Sequence, residues 1–142
     1  MNSDHIPLPL QRRVRDRADN RCEYCGISQS GQEATFHVDH VQPRRDGGTT
    51  TSGNLALACV SCSLRKGART SAPDPETGQR TNVFNPRMNQ WNEHFRLADD
   101  FSIVGTTAVG RASVQALGMN RALAVAIRKE EALRGKGGYP PR

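Results

Sequence analysis

Apolar and polar positions along the chain alternate in patterns that predict short helices and strands rather than long ones. In order, the first half predicts a basic helix at 10–19, a strand at 35–41, a loop at 43–53, an apolar run at 54–58 and a helix at about 62–68. Leu10, Val14 and Ala18 fall on one face of the first helix and are its expected core positions. Ser61 is the expected N-cap of the helix at 62–68.

The second half begins with a break, because residues 71–78 contain two prolines and a glycine. Beyond it the pattern predicts a short helix at 89–95, a hairpin joining 95–97 to 101–104, and two helices at about 108–117 and 122–133. Leu123, Ile127 and Leu133 are the expected core positions of the last helix. Short helices and short strands both occur along the chain, so the expected fold class is α+β.

Composition adds two constraints. The 142 residues are only 35% hydrophobic and 5% aromatic, so the core is small and favours a metal or disulfide staple. The net charge of +6 favours a polyanionic partner, although charge alone is weak evidence. The chain has no long apolar run and no signal-peptide pattern, which predicts a cytoplasmic protein that does not enter a membrane.

All four cysteines lie in two C-x-x-C pairs, Cys22 with Cys25 and Cys59 with Cys62. Two such pairs are typical of a tetrahedral zinc site in which each pair offers two thiolates. Disulfides are the competing interpretation, and the expected reducing compartment disfavours them. Four sulfurs would close the coordination shell, so this zinc is predicted to be structural rather than catalytic.

Further motifs lie between and after the two cysteine pairs. They are D-H-V-Q-P at 39–43, G-G at 47–48, N-L-A-L at 54–57, C-V-S-C at 59–62 and R-K-G at 65–67. In this order and spacing, residues 20–70 resemble the zinc-stapled form of the HNH endonuclease family, as found in small bacterial proteins. The resemblance implies a ββα-metal core, in which two strands and one helix surround a divalent ion, here followed by a hairpin and helical C-terminal extension.

The resemblance also implies roles for individual residues. His40 would be the general base, since a neutral imidazole is poised to take a proton from water near pH 7. Asp39 would bind Mg²⁺ or Mn²⁺ through oxygen, from the opposite face of the strand or around a local twist. Asn54 would hold the loop so that His40 is aimed correctly. His37 is expected to be a strand-face residue or a DNA contact.

One position departs from the family pattern. An Asn or His usually follows the second cysteine pair and supplies a second ligand to the catalytic ion, but this chain has Ser63. Three consequences are open. Ser63 would bind the catalytic ion through water, another residue would replace it as ligand, or nuclease activity would be low. His94 is the replacement to test, with a packing role as its alternative. The residues predicted to grip DNA phosphates are Arg44, Arg45, Arg65 and Lys66.

Together these features predict a DNA endonuclease with an HNH core at residues 1–72 and an extension at residues 73–142. It would use structural zinc and catalytic Mg²⁺ or Mn²⁺ to cut or nick double-stranded DNA. The main alternative is a non-catalytic zinc-stapled DNA-binding module whose active site is weakened at Ser63. A third possibility is a partner-binding module that retains the HNH frame only as a fold. The oligomeric state is left open by the sequence.

Overall fold

The structure, a computed structural model, describes residues 5–137 and 139–141. Its elements are α1 (Leu8–Arg17), β1 (His37–His40), β2 (Leu55–Ala58), α2 (Val60–Lys66), β3 (Ser71–Pro73), β4 (Arg80–Asn82), α3 (Trp91–His94), β5 (Phe95–Leu97), β6 (Ile103–Gly105), α4 (Ala108–Ala116) and α5 (Ala122–Leu133). The strands form three separate antiparallel hairpins. The predicted α+β class is therefore confirmed.

The N-terminal half contains a ββα unit. β1 pairs antiparallel with β2, so that Asp39 lies opposite Ala56 and His40 lies opposite Leu55. All four residues of β2 are buried, because α1 and α2 both pack against this hairpin. A continuous apolar run such as 55–58 is what a strand covered on both faces requires.

Helix α1 is anchored to this unit by its apolar face and by two of its arginines. Val14 and Ala18 are buried and Leu10 packs against them at the core edge, as their helical spacing predicted. Arg17 donates to the carbonyl oxygens of Ser52 and Leu55 at 2.8 and 2.7 Å. These bonds tie α1 to the start of β2, and Arg15 ties it to the residue before β1 by donating to the Phe36 carbonyl oxygen at 2.9 Å.

The predicted break at 71–78 is wrong as a description of this segment, which forms the β3–β4 hairpin. Asp74 forms the turn of this hairpin, because its carboxylate accepts hydrogen bonds from Glu76 N and Thr77 Oγ1 and from the Arg111 guanidinium. The hairpin packs on α4. The expected boundary after residue 72 therefore falls inside a strand.

The predicted β5–β6 hairpin and the helices α4 and α5 are present. Of the three expected core positions of α5, Ile127 packs against the core, but the other two do not. Leu123 and Leu133 are 67% and 75% exposed, whereas Ala124, Arg128 and Glu131 are buried. Arg128 donates to the carbonyl oxygen of Phe101 at 2.7 Å. Apolar spacing failed here because polar side chains with specific partners face inward.

The buried side chains of both halves form one cluster, running from Val14 through the cysteines to Trp91 and Leu117. The contacts between the halves include a hydrogen bond of 2.8 Å from Trp91 Nε1 to the carbonyl oxygen of Tyr24. The C-terminal residues therefore pack directly behind the first cysteine pair. Among the described residues, no helix has the length and apolar character needed to cross a membrane.

Candidate active site

The four cysteines converge on one buried point. Cys22 and Cys25 come from the loop after α1, while Cys59 and Cys62 flank the start of α2, and their sulfurs all lie within 4.8 Å of one another. The Sγ atoms of Cys25 and Cys59 are 3.7 Å apart. Tetrahedral zinc with Zn–S bonds of about 2.3 Å places its sulfurs about 3.8 Å apart. The cluster therefore fits a structural zinc ion.

Backbone hydrogen bonds hold each cysteine pair in its knuckle. Cys25 N donates to Cys22 Sγ, and Cys62 N donates to Cys59 Sγ, both at 3.4 Å. The second bond makes Cys59 the N-cap of α2, so the expected cap at Ser61 is wrong. A sulfur that must face the metal also satisfies an unpaired N–H of the first turn, and the helix begins two residues earlier than predicted.

The four thiols shift one another's pKa values, and one basic side chain lies beside them. Burial raises the pKa of the Cys22 thiol, whereas hydrogen bonds from the other three cysteines lower the pKa of Cys59. Nη2 of Arg121, at the N-terminal end of α5, lies 3.8 Å from Cys59 Sγ. This guanidinium offsets part of the negative charge that four thiolates around one Zn²⁺ would carry.

Asp39 and His40 line the same cleft, which has a volume of about 360 Å³ and also includes Arg44 and Ser63 in its wall. Adjacent strand residues ordinarily face opposite sides of a sheet. His40 is the last residue of β1, and the chain turns immediately after it, which brings both side chains to one cleft.

One ring nitrogen of His40 is anchored in the loop that follows β1. Nε2 lies 2.8 Å from Thr50 Oγ1, and the same hydroxyl oxygen accepts a hydrogen bond of 2.7 Å from Arg44 Nη1. Among the described residues, Nδ1 of His40 has no hydrogen-bond partner. Thr50 was not singled out from the sequence, because no local pattern distinguishes it from its neighbours Thr49 and Thr51.

Asn54 clamps this loop with both ends of its carboxamide. Oδ1 accepts from Gln42 N at 2.9 Å, while Nδ2 donates to the carbonyl oxygens of Gln42 and Thr49 at 3.0 and 2.8 Å. The chain passes so close here that a Cβ at Gly48 would collide with the Gln42 carbonyl oxygen. The arrangement has the form expected of a residue that holds the His40 loop.

The carboxylate of Asp39 is half-buried and makes no hydrogen bond or ion pair with any described residue. A carboxylate in a cleft without a protein partner is a suitable oxygen ligand for a hard cation. Lys66 is the nearby positive group, and its pKa is lowered by burial while the charge of Asp39 opposes that shift. The residues in this cleft therefore fit a divalent ion held through Asp39.

Ser63 meets a second histidine at the edge of the cleft. Its Oγ lies 2.7 Å from Nδ1 of His37, which is also half-buried. From the sequence alone, His37 is expected to be only a strand-face residue or a DNA contact. Its position two residues before Asp39, on the same face of β1, was the available signal that these side chains share a site.

The residues expected to bind DNA separate into two groups. Arg44, Arg45 and Arg65 are exposed. Lys66 is only 4% exposed and donates to the Val41 carbonyl oxygen at 3.1 Å. The structure differs from the expectation for Lys66, because it shares the inward face of α2 with Cys62, four residues earlier.

His94 does not line the cleft that contains Asp39. Its Nδ1 lies 2.7 Å from Thr107 Oγ1, the N-cap of α4, and its ring packs edge-on against Phe84 at a centroid distance of 6.0 Å. The packing role given as the alternative describes this position better than a role as replacement ligand.

Comparison with known proteins agrees with this geometry. Residues 22–69 match the family model of the HNH endonucleases, from the first zinc-knuckle cysteine to just beyond α2. Neither a curated protein nor a solved structure matches the chain. The chain thus carries an HNH domain over these residues, and its four-cysteine cluster fits the zinc-stapled form. The domain indicates a nuclease or DNA-binding function.

Proposed function

We propose that the protein is a metal-dependent endonuclease that hydrolyses phosphodiester bonds in double-stranded DNA, by nicking or cutting. One observation carries the proposal: an anchored histidine and an unpartnered carboxylate, His40 and Asp39, line a single cleft. A protein that only binds DNA would need neither the anchored imidazole nor the unpartnered carboxylate in that arrangement.

In the proposed mechanism, His40 takes a proton from the attacking water through Nδ1. The hydroxyl oxygen of Thr50 can accept two hydrogen bonds, one from Arg44 and one from Nε2–H of His40. That assignment leaves the lone pair on Nδ1, the nitrogen without a protein partner. Arg44 and Thr50 therefore hold the direction of the base in this assignment.

Asp39 would hold the catalytic Mg²⁺ or Mn²⁺. When bound, such an ion supplies charge stabilisation at a phosphate oxygen and at the leaving 3′ oxygen. Asn54 contributes by keeping the loop that carries Thr50 in place. Arg45 and Arg65, both exposed, would contact DNA phosphates without reading the sequence.

The test is cleavage of supercoiled plasmid by zinc-loaded protein in Mg²⁺, Mn²⁺ or EDTA. His40→Ala should lower the rate by about two to four orders of magnitude, the usual contribution of a positioned base. His94→Ala is a matched control, since His94 also bonds a threonine hydroxyl but lies outside the cleft. Equal cleavage by wild type and His40→Ala would refute the mechanism.

The second candidate is a DNA-binding module without catalysis. It is favoured by the departure at Ser63, where a short hydroxyl bonded to His37 stands in place of the usual ligand. Salt-sensitive DNA binding with no cleavage in any metal would support this candidate. Binding of neither plasmid nor short duplex would favour the partner-binding alternative instead.

We also propose that residues 1–72 act as the nuclease core and residues 73–142 as an extension that supports it. Trp91, Arg121 and Tyr139 support the proposal, because each bonds to a residue in or beside the zinc knuckles. Trp91→Ala should therefore lower the temperature at which zinc is released. Unchanged zinc release on heating would show that the extension does not brace the knuckles.

A further inference from the structure

The side chain that follows the second zinc knuckle is too short to act as the usual second ligand, and a histidine fills the space beside it. His37 Nδ1 lies 2.7 Å from Ser63 Oγ. An Asn or His at residue 63 would extend into the space that this imidazole occupies. Where the family has a ligand side chain on α2, this protein therefore has a serine with an imidazole from β1 beside it.

The spacing of β1 places His37 beside the cleft, since Asp39 and Ser63, which both line it, flank His37 along the strand and through its hydrogen bond. His37 and Asp39 are two residues apart on β1 and so share one face. Their partners on β2 are Ala58 and Ala56, whereas the other face carries Leu57 and Leu55. Directly opposite residues of an antiparallel pair lie on the same side. The imidazole and the carboxylate therefore lie over the two small side chains of β2, on the face away from the leucines.

The hydrogen bond to Ser63 also suits a metal ligand. A histidine that binds a metal through one ring nitrogen usually bonds a fixed polar group through the other. Nδ1 of His37 has Ser63 as that group, and Nε2 has no hydrogen-bond partner in the described part of the chain. Asp39, on the same face, also lacks one. Two unpartnered ligand atoms therefore lie on adjacent positions of one strand face.

We infer that His37 supplies the imidazole ligand of the divalent ion held by Asp39, and that Ser63 is a positioning residue which orients that imidazole. The inference rests on the proposed function in requiring a divalent ion at Asp39. It explains why a serine is compatible with the site, because the ligand has moved from α2 to β1. A mixed nitrogen and oxygen site favours Mn²⁺ over Mg²⁺, which prefers oxygen ligands alone.

The direct test is pulsed EPR of Mn²⁺ added to the zinc-loaded full-length protein without DNA. Nitrogen coupling from a bound imidazole is expected in the wild type and should change when histidine is labelled with ¹⁵N. It should disappear in His37→Ala but persist in His40→Ala, the matched control from the same strand. Ser63→Ala should keep the coupling while weakening Mn²⁺ affinity by about 10- to 100-fold, as loss of a ligand's supporting partner does.

A compensating pair of substitutions tests the exchange of ligands. In His37→Ala/Ser63→Asn, the carboxamide has the vacated space, so Mn²⁺ affinity should recover relative to His37→Ala without imidazole coupling. Ser63→Asn alone should not strengthen binding, because the His37 ring is in the way. An equal gain in both backgrounds would overturn the inference, since residues 37 and 63 would then act independently.

Other outcomes separate this inference from the proposed function. Wild type that binds Mn²⁺ without nitrogen coupling, or His37→Ala that retains the coupling, would overturn the ligand assignment even if plasmid is cleaved. Nitrogen coupling from His37 without cleavage would refute the nuclease and leave the assignment intact. If His37→Ala loses its zinc, His37→Gln and the ¹⁵N-labelled wild type still decide the question.

Discussion

Removal of the Asn54 carboxamide should disable the proposed base without touching it. Asn54 makes three hydrogen bonds to the loop that carries Thr50, and Thr50 anchors His40. A typical hydrogen bond contributes about 1 kcal/mol net, so Asn54→Ala should favour the open loop by about 3 kcal/mol. Because about 1.4 kcal/mol corresponds to a factor of ten, the cleavage rate should fall by up to about a hundredfold.

The matched control is Asn120→Ala. Asn120 also makes three hydrogen bonds, accepting from Ile103 N at 2.7 Å and from Arg128 Nη2 at 3.1 Å and donating to Ile103 O at 2.8 Å. It does not line the cleft. Both variants should lose roughly 2–3 kcal/mol of stability. At temperatures where both variants are still folded, only Asn54→Ala should cleave plasmid more slowly than the wild type.

The assay compares single-turnover plasmid cleavage with the melting temperature and zinc content of each variant. Asn54→Ala that cleaves at the wild-type rate would refute the reasoning that the clamp positions His40. An equal loss of cleavage in Asn120→Ala would also refute it, because general destabilisation would then account for both effects.

Three further predictions concern the zinc, an ion pair and DNA binding. The wild type should hold about one zinc per chain, and Cys59→Ser should lose it and melt earlier, since metal binding supplies folding free energy; a folded zinc-free wild type would contradict this. The Arg111 guanidinium holds the pKa of Asp74 well below its usual range, so the stability this carboxylate provides is present above about pH 4 and is lost as pH falls through the lowered value. Asp74→Asn should therefore weaken the fall of the melting temperature at acid pH. An unchanged fall would show that the Asp74–Arg111 ion pair does not contribute to stability. Arg45→Ala and Arg65→Ala should each lower the slope of log affinity against log salt by about one, and equal slopes would mark them as ordinary surface charges.

The spacing of residues along the chain was sufficient to predict the features that depend on near neighbours in sequence. The C-x-x-C pairs predicted the cysteine cluster, because two residues between thiolates form a knuckle wherever the pair lies. The segment containing Asp39 and His40 predicted the HNH resemblance, and residues 22–69 match that family. The strand and helix positions from β1 to α2 also followed from local patterns, to within two or three residues.

The last helix shows where local patterns failed. Its apolar spacing favoured Leu123 and Leu133 as core positions, but both are exposed and Arg128 is buried. Arg128 is buried because two acceptors outside its helix face it, the Phe101 carbonyl oxygen from 27 residues away and Asn120 Oδ1 from just before α5. The hairpin at 71–82 was missed for a related reason, since Asp74 at its turn is held by Arg111 from α4.

The sequence by itself determined the two cysteine pairs, the histidine and the carboxylate proposed for the site, and the order of the elements from α1 to α2. Only the tertiary structure decided that Lys66 points inward, that Thr50 anchors His40 and that His37 meets Ser63. The first set depends on chemistry carried within a few residues, where spacing fixes geometry. The second set depends on which side chains face one another after β1, the following loop and α2 pack together, and contacts between residues 10 to 30 positions apart leave no periodic trace in the chain.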